Sequence, residues 1–343
     1  MKYFKLITLI IFVATCCSCT VTDISEPLVD DSYIETIPEE AKSWLDNKDT
    51  ILMTNEDITK YNKALENESD YITNIDSINN KDKGIVINRA ILRNAPNYSN
   101  TVETGLYVGM PIVILKEKNN WYQIQTYFYE GWIEKENIVM TSDEEYNNFQ
   151  NPNQFIIITD SFYDTNGIKL DMSSKLPYLG VKDDKYKALL PIKDDNGKYQ
   201  TIEILIPRSS AHIGYLDYTK DNLIIQAFKY LNIPYGWGDV NDGIDCSSFI
   251  ANIYRTFGLY IPRNSSQQND TYFNQLNIVG SKNKTNEIKK YPLSILCMKG
   301  HTMLYLGEID NKQYIIDANG MTRNVAYREL PYTNDILTIN QIP

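Results

Sequence analysis

The chain has 343 residues, carries 33 Lys and Arg against 44 Asp and Glu, and is 43% hydrophobic. Single domains usually span about 100–200 residues, so this length predicts two or three domains. The hydrophobic fraction is ordinary and excludes a wholly disordered chain, and the net charge of −11 argues against a nucleic-acid backbone as the main partner. Imidazole chemistry has only two candidates, His212 and His301.

The first twenty residues have the pattern of an export signal. Two lysines precede a largely apolar run at 6–14, which is too short to cross a bilayer. The run ends in small residues and cysteines and resembles the signal of bacterial lipoproteins, in which one cysteine becomes the lipidated first residue. We expect lipidation at Cys19, with Cys16 and Cys17 as alternatives. This predicts an exported protein that is lipid-anchored to the cell envelope, at the outer membrane or at the periplasmic face.

Two cysteines remain after the signal, Cys246 and Cys297. Two are too few for a disulfide framework, and one disulfide between them would leave no free thiol. Cys297 lies in an apolar stretch and is expected to be inert core. The sequence contains no Cys/His cluster suited to zinc and no glycine pattern typical of nucleotide-binding loops, so no metal or cofactor is expected.

Composition divides the rest of the chain. Residues 20–82 are polar and acidic, which predicts a tether followed by short helices, one of them in NEDITKYNKALEN. Residues 83–142 contain short β-branched and aromatic runs between turn residues, which predicts a small barrel of about five strands. Its segments LRNAP, LYVGM, NNWYQIQ and GWIEKENI resemble bacterial SH3-like domains. Residues 150–208 repeat the style and predict a second, more divergent SH3-like barrel.

Residues 209–343 change to an α+β pattern. KDNLIIQAFKYLNI and CSSFIANIYRTFG carry apolar residues at helical spacing, and Gly258 stands where a C′ glycine belongs. HTMLYLGEID and QYIIDANG predict two strands joined by a polar turn at 310–312. The expected fold class is multidomain: a short N-terminal helical segment, two small SH3-like β-barrels and an α+β domain.

The candidate chemistry starts at Cys246, which follows Asp245 and opens a predicted helix. The free N–H groups and positive dipole end of a helix N-terminus stabilise a thiolate, the nucleophilic form of cysteine. His301 begins one predicted strand and Asp317 ends the next, so the two strands can bring an imidazole to the sulfur and a carboxylate to the imidazole. Without further motifs, however, a buried cysteine is more often inert core.

Five motifs in order change that balance: PYGWG, GIDCSSF, FGL, IPRNS followed by Gln268, and Gly300-His301 followed by MLYLG. Together they resemble the NlpC-type family of bacterial cell-wall cysteine peptidases, closely over 220–320. The resemblance extends to a subgroup with a lipoprotein or secretory signal and two SH3-like domains. It implies a papain-like peptidase domain at 209–343 that cleaves the bond between γ-D-glutamate and a diamino acid in peptidoglycan stem peptides. Whether this is diaminopimelate or lysine stays open.

The same resemblance implies roles for individual residues. Cys246 would be the nucleophile and His301 the general base. The third member of the subgroup's site is usually a histidine; here Asp317 stands in its place, with Asn319 as the alternative. A carboxylate is able to hold an imidazole in place. This departure therefore leaves the identity of the orienting residue open, but it does not argue against the activity.

The subgroup also recognises a free N-terminal L-alanine, whose cationic amine requires acidic and hydroxyl acceptors. The matching substrate-binding candidates come from both parts of the chain: Tyr235, Asp245, Ser247 and Ser265 in the α+β domain, and Tyr129 and Glu103 in the first barrel. Other interpretations stay open for three residues. Asp245 is equally suited to be only a helix N-cap, Ser265 to cap a turn, and Trp237 to pack in its loop.

The sequence is therefore compatible with two alternative functions from different classes of protein. The first is a cysteine endopeptidase acting on stem peptides, anchored by its lipid alone and working as a monomer without nucleic acid. The alternative is a catalytically degenerate peptidoglycan-binding lipoprotein. The retained Cys246 and His301 argue against the alternative, and the departure at Asp317 argues weakly for it. Transfer or amidase chemistry on another peptide or lipid would use the same thiolate.

Overall fold

The computed structural model describes residues 42–342 except 43, 47, 49, 100–101, 271–273 and 332. The predicted signal, its candidate lipidation site Cys19 and most of the predicted tether lie outside these residues. Over the ranges described, no helix is long and apolar enough to cross a membrane.

Within the described residues, the N-terminal part contains a short strand, two helices and a seven-stranded antiparallel sheet, which we name the first sheet. The order within the sheet is β4-β3-β7-β6-β5-β2-β8. The sheet spans the predicted range but has more strands than the five expected. The elements are β1 (Ile51–Met53), α1 (Asn55–Glu68), β2 (Lys83–Val86), β3 (Ala90–Arg93), β4 (Val102–Leu106), β5 (Pro111–Lys118), β6 (Trp121–Gln125), β7 (Glu130–Glu134), β8 (Ile138–Thr141) and α2 (Asp143–Gln150).

The second sheet has five antiparallel strands in the order β14-β13-β12-β9-β15, with a separate hairpin β10–β11. Its last strand pairs with β9 beyond the limit predicted at residue 208. A segment cut at residue 208 would leave one edge of β9 without its hydrogen-bond partner. The elements are β9 (Phe155–Ile158), β10 (Phe162–Thr165), β11 (Ile168–Asp171), β12 (Lys175–Lys182), β13 (Lys185–Lys193), β14 (Tyr199–Pro207) and β15 (Ala211–Ile213).

The C-terminal part has the predicted α+β character. Its six-stranded antiparallel sheet, the third sheet, has the order β17-β22-β18-β19-β20-β21, while β16 pairs with β1. The elements are β16 (Tyr218–Thr219), α3 (Lys220–Lys229), α4 (Cys246–Arg255), α5 (Ser265–Gln268), β17 (Asn274–Asn277), α6 (Lys284–Lys289), β18 (Ile295–Met298), β19 (His301–Ile309), β20 (Lys312–Asn319), β21 (Asn324–Glu329) and β22 (Thr338–Gln341).

Helix α4 packs its apolar stripe into the largest core of the C-terminal part. Phe249, Ile250 and Ile253 are fully buried there with residues of α3 and of the third sheet. Each side chain of this size contributes about 1.5–3 kcal/mol through burial. The helix ends where Gly258, at φ +77°, donates its N–H to the Arg255 carbonyl. This left-handed ending is the predicted glycine C-cap and fixes where α4 stops.

The hairpin turn between β19 and β20, together with a bulge in β19, sets the register of the candidate site. Asp310 and Asn311 have φ of +49° and +62°, the left-handed geometry that a two-residue hairpin turn requires. The turn pairs Gly307 with Tyr314, and a bulge between Tyr305 and Gly307 then shifts the register by one residue, so that Leu304 lies opposite Ile316. Continued three residues along β19, this register puts His301 opposite Asn319 and diagonal to Asp317, on one face of the sheet.

The first sheet contacts the loop that precedes α4. Gly105 on β4 approaches Asp239 so closely that a Cβ on the glycine would lie 2.8 Å from the Cβ of Asp239. Gly238 has φ +61°, and a Cβ there would lie 2.4 Å from Val102 Cγ1. Larger residues at either glycine would push the first sheet away from this loop. Helix α1 contacts the segment at the other end of α4, because Asn62 Nδ2 donates to the Gly258 carbonyl at 2.7 Å.

Candidate active site

Cys246 is the first residue of α4, and Asp245 is the N-cap that starts the helix. The Asp245 backbone is extended, and its Oδ1 accepts a hydrogen bond from the Ser248 N–H at 2.9 Å. Such a cap occupies one of the free N–H groups of the first turn and fixes where the helix begins. The Cys246 sulfur, a buried free thiol, is thereby held at the positive end of α4.

His301 joins Cys246 to Asp317. Its Nε2 lies 2.6 Å from Asp317 Oδ2, and its ring also hydrogen-bonds with the Cys246 thiol. Because Nε2 is engaged with the carboxylate, Nδ1 is the nitrogen left to face the sulfur. The structure therefore brings together the three residues that the sequence proposed as nucleophile, base and orienting group.

The protonation states of this group follow from its contacts. Burial disfavours the imidazolium, but the hydrogen bonds with Asp317 and Cys246 outweigh it and raise the pKa of His301 to about 9. Burial also disfavours an ionised Asp317, yet hydrogen bonds from His301 and Arg328 hold the pKa of that carboxyl below its ordinary value. At neutral pH the ring is therefore protonated and the carboxylate ionised.

Asp317 has no exposed surface and is fixed by two further residues. Arg328 donates from Nε to Oδ1 at 3.1 Å and from Nη2 to Oδ2 at 2.8 Å. Asn319, the alternative orienting residue, donates its Nδ2 to Asp317 Oδ2 at 3.1 Å. Arg328 was not among the candidates predicted from the sequence. A carboxylate inside a buried strand requires a cation nearby, and this signal points to a basic residue on the next strand.

A second buried cluster surrounds Asp245. Arg263 donates to Asp245 Oδ1 at 3.1 Å and to Oδ2 at 2.8 Å, and its Nε donates to Thr104 Oγ1 of the first sheet at 2.6 Å. Asp245 also accepts from Ser248 N, Gly238 N and Ser247 Oγ. A carboxylate has about four lone-pair positions, so these five donors saturate Asp245. The N-cap role that the sequence left open is present, within a larger network.

Asp239 completes this cluster and was not singled out from the sequence. Its Oδ2 accepts from Ser248 Oγ at 2.6 Å, and its Oδ1 accepts from the Asp245 N–H at 3.1 Å. Burial raises the pKa of Asp239, and the Arg263 guanidinium opposes that rise only in part. Gly105 N donates to it at 3.3 Å, so the first sheet is tied to the loop before Cys246.

The candidates from the first sheet form one contact. Tyr129 donates its hydroxyl proton to Glu103 Oε2 at 2.5 Å. Burial and this carboxylate raise the pKa of Tyr129, and a hydrogen bond with Asn264 opposes the rise. The Glu103–Tyr129 pair therefore reaches the loop that leads into α5, whose first residue is Ser265.

Two other candidates, Ser247 and Tyr235, lie close to Cys246. Ser247 is buried beside Cys246, and its Oγ accepts from Arg263 Nη1 at 2.9 Å. Tyr235 is half-buried, and burial together with the nearby Cys246 raises its pKa to about 12. Trp237 is 63% exposed, so its interpretation as a loop-packing residue was wrong.

Cys297 behaves as the sequence predicts for a core residue. It is fully buried, forms no disulfide, and burial raises the pKa of its thiol to about 11. Its sulfur lies 3.6 Å from Thr302 Oγ1. Among the residues described, no group of three or more His, Cys, Asp and Glu side chains is arranged to hold a metal ion.

Comparison with known proteins supports the resemblance. The NlpC/P60 family model matches residues 232–338, and the bacterial SH3 domain model matches residues 88–139. A gamma-D-glutamyl-L-lysine dipeptidyl-peptidase of Bacillus cereus (strain ATCC 10987 / NRS 248) is 24% identical over 194 residues, 50% of this chain and 55% of the relative. Dipeptidyl-peptidase 6 of Lysinibacillus sphaericus is 26% identical over 261 residues, 70% of this chain and 90% of the relative. The chain thus spans about half the length of the Bacillus cereus relative.

Solved structures share the fold. An NlpC/P60 endopeptidase from Photobacterium damselae subsp. piscicida has a TM-score of 0.56 at 20% identity, over 83% of this chain and 71% of the other. An NlpC/P60 family protein from Bacillus cereus ATCC 10987 has a TM-score of 0.59 at 18% identity, over 76% of this chain and 99% of the other. The order of sheets and the sequence matches lead to one conclusion: the chain joins a bacterial SH3 domain to a C-terminal domain of the NlpC/P60 family.

Proposed function

We propose that this protein is a cysteine endopeptidase that hydrolyses the γ-D-glutamyl–diamino acid bond of peptidoglycan stem peptides with a free N-terminal L-alanine. One observation carries the proposal: the His301 ring contacts both the Cys246 thiol and the Asp317 carboxylate. The NlpC/P60 match and the peptidase names of the curated relatives support the same chemistry.

In the first half-reaction, Cys246 attacks the carbonyl carbon of the γ-D-glutamyl group while its thiol proton resides on His301. N–H groups of the first turn of α4 stabilise the oxyanion that forms beside the sulfur. His301 then gives its proton to the leaving amino group of the diamino acid. The C–N bond breaks, and the glutamyl group remains on the sulfur as a thioester.

In the second half-reaction, His301 takes a proton from water as the water oxygen attacks the thioester carbonyl. The C–S bond breaks, the proton returns to the sulfur, and a carboxylic acid leaves. Asp317 stays ionised throughout, because it balances the charge of the imidazolium and holds the ring by Nε2. The chemistry needs no metal or cofactor.

The amine of the L-alanine would bind where the first sheet meets the loop into α5. Asp245 is saturated by its protein donors and acts by positioning Ser247 and the helix. Glu103 therefore supplies the negative charge for the amine, with the hydroxyls of Tyr129 and Ser265 as further acceptors. Tyr235 lines the nucleophile side of the same cleft.

When the N-terminal amine of a substrate is acylated, the buried or half-buried acceptors lose their ammonium partner, and this weakens binding of the substrate. We therefore infer that the enzyme takes released stem peptides in preference to peptides still linked to glycan. Both lysine and diaminopimelate peptides belong in the substrate panel, because the name of the Bacillus cereus relative specifies lysine.

The export and anchoring of the protein are proposed from the first twenty residues alone. Lipidation at Cys19 would place the enzyme on the envelope, with the C-terminal part facing the compartment in which stem peptides are released. We expect it to act there as a monomer. Incorporation of a labelled fatty acid into the full chain, and its loss in Cys19→Ser, is the direct measurement.

The deciding experiment is mass spectrometry of the products from defined stem peptides. The wild type and Cys297→Ala should release the diamino acid part of L-alanyl-γ-D-glutamyl-L-lysine or its diaminopimelate analogue, and Cys246→Ala should release none. Cys297 is the matched control because it is also a buried free thiol. Full activity in Cys246→Ala would remove the nucleophile assignment. A wild type that binds the peptides, cleaves none and ignores thiol-reactive probes would favour the degenerate binding protein.

A further inference from the structure

A cavity of about 240 Å³ lies where the first sheet, the second sheet and the C-terminal end of α4 meet. Arg255, the last residue of α4, lines this cavity, whereas Cys246 is the first residue of the same helix. At 1.5 Å per residue the two ends are about 14 Å apart, so the cavity is distinct from the cleft at Cys246. We name it the junction cavity.

Arg255 brings a buried positive charge to the junction cavity with only neutral partners. Its side chain donates from Nη1 to Asn252 Oδ1 at 2.9 Å and to Ser173 Oγ at 3.2 Å. The rest of its surroundings are aromatic: the ring centroids of Tyr107, Tyr127 and Phe128 lie 5.3–5.6 Å from the Cζ atom of Arg255. Across the described ranges, no carboxylate forms an ion pair with it. Buried charges are normally paired, so this guanidinium lacks the anion that its environment calls for.

Lys175 brings a second cation to the same cavity from the start of β12. Its Nζ donates to the Gln150 carbonyl at 2.8 Å, which uses one of its three donors. Burial lowers the pKa of Lys175 to about 8, and the exposed Asp76 carboxylate opposes that effect only in part. The ammonium is therefore held at a site that disfavours its charge.

Ser174 supplies the independent sign of a missing ligand. It lines the cavity between Ser173 and Lys175 and is 3% exposed. Its hydroxyl has no hydrogen-bond partner in the part of the chain that the structure describes. Buried hydroxyls are almost always paired, so a free hydroxyl in a cavity lined by two cations marks the position of an acceptor.

We propose that the junction cavity binds a small organic carboxylate through Arg255, Lys175 and Ser174. The fork of N–H donors on a guanidinium matches the two oxygens of a carboxylate. The rings of Tyr215 and Tyr260, which line the same space, would pack against the apolar part of the ligand. This site is separate from the one at Cys246, because its lining residues do not include Cys246, His301 or Asp317.

The first test needs no added ligand. Ser174→Asp places a carboxylate beside the two cations, and Ser174→Asn adds a neutral group of the same size. We expect Ser174→Asp to unfold at a higher temperature than Ser174→Asn at pH 7, because the introduced charge takes the place of the ligand. Equal melting temperatures, or a lower one for Ser174→Asp, would overturn the proposal.

The second test uses benzoate as the anionic probe and benzamide as its neutral counterpart, each up to about 50 mM. Benzoate should raise the melting temperature of the wild type saturably, and benzamide should not. Lys175→Met should weaken benzoate binding about tenfold or more. Lys193→Met is the control, because Lys193 also donates to a backbone carbonyl, that of Lys135, but lies outside the cavity.

Three outcomes of the second test would count against the site: no benzoate shift, equal shifts with benzoate and benzamide, or a benzoate shift that persists in Lys175→Met. Stem-peptide hydrolysis is measured separately on the wild type. A failure of the junction cavity would leave the proposed peptidase intact, and an inactive peptidase would leave the benzoate result unaffected.

Discussion

Arg263 donates hydrogen bonds to both carboxylate oxygens of Asp245, at 3.1 and 2.8 Å. It therefore connects the loop after α4 to the N-cap residue of that helix. The same guanidinium reaches Thr104 of the first sheet. One buried side chain therefore connects the SH3 domain, helix α4 and the loop into α5.

Removing this cation should be strongly destabilising. Arg263→Met leaves the Asp245 and Asp239 carboxylates buried without their cation, and we expect unfolding in urea to lose about 3–5 kcal/mol. Arg263→Lys keeps the charge but not the fork, so its loss should be smaller. Lys312→Met, which breaks an exposed ion pair with Glu329, should change stability by less than about 1 kcal/mol. A similar small change for Arg263→Met would contradict this role.

Glu103 should control discrimination of the substrate amine. Glu103→Gln keeps the shape of the side chain but removes its charge. We expect the ratio of kcat/KM for free over N-acetylated stem tripeptide to fall about tenfold or more. Glu130→Gln is the matched control, since Glu130 is an exposed residue of the same sheet that pairs with Gln123. An unchanged ratio in Glu103→Gln would show that the amine binds elsewhere.

Arg328 should determine the pH at which kcat/KM falls on the acid side of its pH profile. Its two hydrogen bonds stabilise the ionised form of Asp317, so Arg328→Met should raise the pKa of that carboxyl. The acid limb of kcat/KM should then move to higher pH, and Arg328→Lys should move it less. Arg323→Met removes an exposed cation near the turn into the same strand and should leave the limb in place. A uniform loss of activity without a shifted limb would indicate only a structural role for Arg328.

His301 should titrate near pH 9, and two-dimensional NMR measures this directly because the protein has only one other histidine, His212. A folded-state pKa above the ordinary value of about 6.5 means that the ring stabilises the fold fully below pH 6.5. That contribution, up to about 3 kcal/mol, is lost as the pH rises through 9. His212→Gln assigns the resonances.

Cys246→Ala removes one of the two groups that raise the pKa of His301, so in this variant the titration should move to lower pH. Wild-type activity should also decline above pH 9, as the ring loses the proton it must give to the leaving amine. A His301 titration near its ordinary value in the wild type would mean that the ring is not engaged by Asp317 and Cys246 in solution.

The sequence alone was sufficient to identify the parts that short segments encode. Periodicity and turn residues predicted a β-rich region before an α+β region, helices α1 and α4 and the hairpin β19–β20. The motifs around Cys246 and His301 pointed to the NlpC/P60 family. The second sheet carries no such motif, and its SH3-like character stays a prediction. Its last strand was missed because Ala211–Ile213 is defined only by pairing with β9.

Only the tertiary structure decided the relationships that join distant segments. Asp317 and Asn319 are two residues apart and lie on the same face of β20. The register of the hairpin and the side-chain directions, not the local sequence, select Asp317 as the partner of His301. Arg328 and Asp239 were missed for the same reason. The saturation of Asp245 and the junction cavity arise where three parts of the chain pack together, because buried charges take their partners from whatever element lies nearest in space.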